Sequence, residues 1–333
     1  MRSLEHAISG ARAALRRASA RAGGTDPSRV RPARLVLRLD DGDLGAEGAQ
    51  IMGDGDELTL AQWFRLLTSA VTWLGSLPVT VIAQRAGGHP YLHELVRFAH
   101  RLECETLVVT DGSGFDRARA EELIDCGMAA VRVWVGGVSE DVHRAVVGSA
   151  LAEATGAVAA LVAARADRGA ALDIEVAVPW QGPVHTELRA VIGWAREAGA
   201  DGVRVVAPWR ARDLPGDPEL LDAIIDEGGA FQRTRAASVE ELHAMVASQD
   251  GEPGLARAGM GFRRRRFPCP VGGQRLEITA RGLLYSCPFK APIGVFDEDL
   301  AIDWGAAGPH LSAIRDCARA CAHVELAPQP VLG

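Results

Sequence analysis

A chain of 333 residues that is 48% hydrophobic and 24% charged can bury one large domain with an appendage, or two modest domains. Its net charge of −7 excludes a general nucleic-acid binder, which needs a basic face. No apolar run is long enough to span a membrane. The arginine-studded first 21 residues lack the apolar core of a secretory signal, so the expected compartment is the cytoplasm.

Residues 1–32 predict a basic amphipathic helix and a linker, with Leu4, Ile8, Ala11 and Leu15 on one face. Strands are predicted at 33–39, 79–84, 106–110, 130–135, 173–178 and 203–207, within a unit spanning 33–235. Each is short, β-branched and almost continuously apolar, as a strand buried on both faces should be. The segments between them carry helical stripes: Trp63, Leu66, Leu67, Ala70, Val71 and Leu74; then Leu92, Leu95, Val96 and Ala99; then Leu188, Val191, Ile192 and Ala195. Six strand–helix units imply a parallel sheet with right-handed crossovers. Periodicity leaves open whether the sheet is a partial barrel or doubly wound. Either way, ligands bind beyond the carboxyl ends of the strands.

The segment 236–261 reads as a helix and linker, with Ser238 and Glu241 in capping-box spacing. The tail, 262–333, holds Cys269, Cys287, Cys317 and Cys321. In a reducing compartment four crowded thiols read as metal ligands before disulfides. Cys317 and Cys321 lie one helical turn apart, so both sulfurs can face one site. Cys104 and Cys126 stand alone and read as buried residues. Residues 275–279 and 283–286 alternate like hairpin strands turning at Ala280, Arg281 and Gly282.

The loops after the second, third and fourth strands carry a resemblance. Gly87-Gly88-His89-Pro90, Thr110-Asp111-Gly112, and Val133 to Gly137 followed by Ser139-Glu140-Asp141-Val142-His143 occur in this order. They resemble the Gly-Gly-Glu-Pro, Thr-Asn-Gly and Ser-Leu-Asp-Gly loops of the radical S-adenosylmethionine (SAM) family. The resemblance implies a partial (β/α)6 barrel. Residues Gly87, Gly88 and His89 then stand in the family's SAM-holding loop, with His89 in the place of its glutamate. Trp134 and Gly136 stand in the places of the family's serine and aspartate of the fourth loop. Cys269, Gly282 and Cys287 are similar to the opening of a SPASM or twitch auxiliary-cluster domain. The implied cofactor of the four tail cysteines is one iron–sulfur cluster of the [4Fe-4S] type, with zinc as the alternative.

The family's Cys-x3-Cys-x2-Cys signature is replaced by Asp43, Glu47 and Gln50. Hard oxygen donors do not hold the four-iron cluster that delivers an electron to SAM. The loop from Asp40 to Glu57 carries seven carboxylates and no basic residue, which suits a hard cation or a solvated acidic loop. The expectation is a protein with no SAM-ligating cluster and no reductive SAM cleavage. It would be an accessory or substrate-presenting partner of an active radical SAM enzyme or precursor peptide in natural-product modification. The alternative is a repurposed enzyme whose barrel mouth, with candidates His89, Asp43 and Glu47, does non-radical chemistry with a hard metal or intact SAM. No nucleic-acid or membrane partner is expected.

Overall fold

The computed structural model describes residues 34–40, 56–179, 184, 186–206, 275–285 and 294–295. The N-terminal helix, positions 43, 47 and 50, the segment 236–261 and the four tail cysteines lie outside the described residues.

Six parallel strands form where the apolar runs predict them: β1 (Arg34–Arg38), β2 (Val79–Ile82), β3 (Thr106–Thr110), β4 (Ala130–Trp134), β5 (Asp173–Pro179) and β6 (Gly202–Val206). Between them run α1 (Leu60–Leu74), α2 (Leu92–Arg101), α3 (Arg117–Asp125), the pair α4 (Glu140–Val147) and α5 (Leu151–Arg168), and α6 (Leu188–Glu197). The strands lie in the order 6-5-4-3-2-1 without reversal. A doubly wound sheet reverses its order at a switch point. This one does not, so its helices share one face and the architecture is of the barrel type.

Successive residues along each strand alternate between the two sides of the sheet. Leu35, Leu37, Val79, Val81, Val131 and Val133 face the helices in the main core cluster. Val36, Ile82, Val109, Trp134 and Ala177 belong to a separate cluster on the inner face. The α1 stripe packs as its spacing predicts, with Leu66 and Leu67 fully buried. Truncating either to Ala would cost about 2–5 kcal/mol. Thr59 starts this helix with a capping box: its hydroxyl accepts from the Gln62 amide, and the Gln62 side chain accepts from the Thr59 amide at 2.8 Å.

The tail hairpin forms as read. Strand β7 (Arg275–Ile278) pairs antiparallel with β8 (Leu283–Tyr285), which pairs with β9 (Gly294–Val295). Gly282, at φ +78°, closes the turn. What the sequence did not reveal is where the hairpin goes. Strand β7 pairs in parallel with β1, matching Leu35 to Leu276 and Leu37 to Ile278. The free edge of β1 needs backbone partners, and these leucine and isoleucine side chains continue its helix-facing row. The described residues thus form one nine-stranded sheet. Among them, no single helix is long and apolar enough to cross a membrane.

Candidate functional site at the barrel mouth

The loops at the carboxyl ends of β2 and β3 touch through their backbones. The Gly87 amide donates to the Ser113 carbonyl at 3.2 Å. A Cβ built on Gly87 would lie 1.7 Å from the Gly114 carbonyl oxygen. Only glycine permits that approach, so the Gly87-Gly88 pair has a steric reason before any ligand is considered. The end of β1 is tied to the same place, because an Asp40 carboxylate oxygen accepts from the Gln84 amide at 2.7 Å.

His89 follows the short 3₁₀ turn at Ala86–Gly88 and is half-buried. Its Nδ1 accepts from the Tyr91 amide at 3.2 Å, and its carbonyl accepts from Arg119 at 2.9 Å. Burial lowers its pKa below the usual histidine value, against the upward pull of the Leu39 carbonyl, Asp40 and Glu57. It is a neutral imidazole facing the ends of the acidic loop.

Asp111 is buried at the end of β3. Its Oδ1 accepts from the Ser113 amide at 2.8 Å, and the Ser113 hydroxyl donates to Glu153 at 3.1 Å. Burial pushes the Asp111 carboxyl upward, the Ser113 bonds oppose this, and the nearby charges of Glu153 and Asp40 add to the rise. Asp111, Ser113 and Glu153 line a cleft of about 450 Å³ with Gln84, Arg85, Arg144 and Ser149. It is a polar cleft with both signs of charge on its wall.

The far wall comes from the turn between α4 and α5, which meet at 89° after Gly148 adopts φ +87°. Ser149 lies next to the fully buried His143, which suggests a nucleophile and base. The tautomer excludes that. His143 Nδ1 accepts from the Gly136 amide at 3.2 Å, so the proton sits on Nε2, 3.3 Å from the Ser149 hydroxyl oxygen. The ring has no lone pair left for the serine, and its role is to lock the fourth loop against α4. Burial lowers its pKa accordingly. The Glu187 carboxylate accepts from the Val138 and Ser139 amides at 2.7 and 3.0 Å, capping α4 in place of the Ser139 side chain. Burial works against ionisation of Glu187, but the Ser139 and Val138 bonds prevail and hold its pKa low.

The inner face of the sheet carries charges. Arg38 donates to Glu277 at 2.8 Å, joining β1 to β7. Glu175 on β5 accepts from Arg132 on β4 and from Arg204 on β6, each with a contact at 2.8 Å. Burial alone would raise the Glu175 pKa; the two guanidinium groups overcome it and hold it at about 2. The same face also carries Trp134, which ends β4. That side chain is 1% exposed, and its Nε1 has no hydrogen-bond partner.

The structure thus brings together Gly87, Gly88 and Asp111 of the expected loops, and places His89 beside them facing Asp40 and Glu57. Sequence reading missed Glu153, Ser149 and the inner charges. The signal for the charges was present: β1, β4, β5, β6 and β7 each carry a charged residue at an inner position. Among the described residues, no group of three or more His, Cys, Asp or Glu side chains is placed to hold a metal ion. The SAM-ligating cluster does not fit the donors at positions 43, 47 and 50, two carboxylates and an amide with no thiolate.

The fold is similar to that of Streptococcus suis SuiB bound to its precursor peptide SuiA. The TM-score is 0.61 at 12% identity, over 86% of this chain and 67% of that one. SuiB bound to S-adenosylmethionine gives 0.57 at 12%, over 82% and 63%, so the chain spans about two thirds of SuiB's length. Native anSMEcpe with bound AdoMet gives 0.57 at 9%, over 89% and 88%. These neighbours are radical SAM enzymes, and at such identities the likeness is one of fold: the chain has a radical-SAM-type α/β barrel. No protein-family model matches the sequence, and no curated protein matches it significantly.

Proposed function

We propose that the chain is a radical-SAM-like protein without the SAM-cleaving cluster, acting as an accessory or substrate-presenting partner in peptide modification. One observation carries this reading. The chain folds as a barrel shaped like that of SuiB, which is bound to a precursor peptide, while its sequence carries Asp43, Glu47 and Gln50 at the spacing where the resemblance expects three cysteines. The tail set Cys269, Cys287, Cys317 and Cys321 would hold one [4Fe-4S] cluster of structural use, since thiolates suit it and four protein ligands leave no iron open. A second reading, a repurposed enzyme, draws support from the mixed-charge cleft beside His89.

Mixing separates the two. The chain is added to an active radical SAM enzyme with its precursor peptide, and peptide modification is followed by mass spectrometry. The accessory reading expects a gain in turnover that survives Asp43→Ala combined with Glu47→Ala. Activity of the chain alone, abolished by that double substitution, would assign the mouth to catalysis instead.

A further inference from the structure

In a parallel barrel, ligands bind beyond the carboxyl ends of the strands. Here an apolar cluster of the chain's own side chains fills the inner face between β1 and β5. Trp134 ends β4 on the inner face and packs with Val36 of β1, Ile82 of β2, Val109 of β3 and Ala177 of β5. Val147, from α4 above, closes the same cluster. No member is more than 8% exposed. On the same inner face, level with these residues in the register, lie the ion pairs Arg38–Glu277 and Glu175 with Arg132 and Arg204.

The Trp134 Nε1 is enclosed and has no hydrogen-bond partner among the protein atoms described. The other members of its cluster are valine, isoleucine and alanine side chains. Trp134 also stands in the place of the serine that the radical SAM resemblance puts among the polar groups holding SAM, so a small hydroxyl has become the bulkiest side chain available.

We infer that Trp134 seals the barrel, so that the interior is a packed core that admits neither S-adenosylmethionine nor S-adenosylhomocysteine. Substrates and partners then meet the rim and the outer faces. The inference deepens the proposed function and rests on it only for the identity of the excluded ligand.

The test uses the full chain and a probe that needs no iron. Equilibrium dialysis with S-adenosylhomocysteine is expected to show no binding tighter than about 1 mM. Trp134→Gly should lower the melting temperature by on the order of 10 °C, and free indole should restore most of the loss by refilling the cavity. Trp134→Phe keeps an aromatic ring and loses two ring carbons with the unpaired N–H, so it should lose less than about half of what the glycine variant loses. Micromolar binding of the probe by the parent chain overturns the inference. So does a Trp134→Phe loss as large as the glycine variant's, or a glycine variant that indole does not rescue. If Trp134→Gly does not fold, the dialysis and the phenylalanine variant still decide. Iron content judges the proposed function separately: about eight irons per chain would sink that reading and leave these measurements standing.

Discussion

Replacing Glu175 by Gln keeps the shape of the inner ion network and removes the negative charge that Arg132 and Arg204 share. Arg132 and Arg204 then face an amide across β5, with side-chain exposures of 6% and 13%. The pKa of Glu175 is lowered from 4.5 to about 2 in the fold. At 1.36 kcal/mol per pKa unit, the ionised form contributes about 3 kcal/mol to stability at neutral pH. Because the folded pKa is depressed, that contribution is whole above pH 4.5 and fades as pH falls towards 2. Urea unfolding at pH 7 should show Glu175→Gln less stable by about 3 kcal/mol. At pH 3 the gap between variant and parent should have narrowed. Glu175→Ala should cost about 3–5 kcal/mol, since it takes a shared carboxylate from two buried guanidinium groups. Replacing all three residues with apolar side chains of similar volume should cost far less than either single change, because buried ion networks offset desolvation more than they add stability. A Glu175→Gln cost below about 1 kcal/mol at pH 7, the range of exposed pairs, would refute the claim that this network is shielded from water.

Gly87→Ala should destabilise by about 3 kcal/mol through collision with the Gly114 carbonyl, whereas Gly114→Ala, with its nearest contact at 3.5 Å, should lose only about 1–2 kcal/mol to its positive φ; equal losses in thermal melts would discount the close approach. Buried neutral His143 has its pKa lowered from 6.5, so the unfolded state gains a proton more readily and stability should decline as pH falls below 6.5; His143→Gln should flatten that part of the pH curve, and an unchanged slope would assign it to other groups. Glu277→Ala removes the partner of Arg38 across β1 and β7, and amides of β7 and β8 should exchange faster in deuterium while β3 and β4 do not; uniform acceleration would mean that the hairpin is not a separable unit. Anaerobically prepared protein should carry about four irons per chain, lost together with protease resistance of the tail in Cys287→Ala; stoichiometric zinc would sink the cluster assignment.

The strands and helix stripes were legible because their signals are local. A strand buried on both faces writes itself as a continuous apolar run, and the α1 stripe from Trp63 to Val71 needs no distant partner. The choice of barrel over doubly wound sheet was not legible, because strand order is decided by crossovers that leave no mark on periodicity. The cleft was half legible: Gly87, Gly88 and Asp111 sit in recognisable loops. Glu153 and Ser149 reach it only because the chain turns 89° after Gly148, a glycine interrupting an otherwise continuous helical pattern. The inner arginines and glutamates were hidden by their apolar neighbours, one charge per strand being too sparse to break the run.

The pairing of β1 with β7 also sets a timetable. Arg38 and its partner Glu277 are separated by 239 residues. At roughly 5–20 residues per second of synthesis, β1 waits about 12–48 s after its own appearance before that partner exists. During that interval its outer edge is an unpaired row of amides and carbonyls beside the apolar Leu35 and Leu37, the kind of surface on which growing chains aggregate. The ribosome-bound barrel therefore passes through a stage in which β2 holds one side of its first strand and β7, the described strand that pairs with the other, has yet to be made.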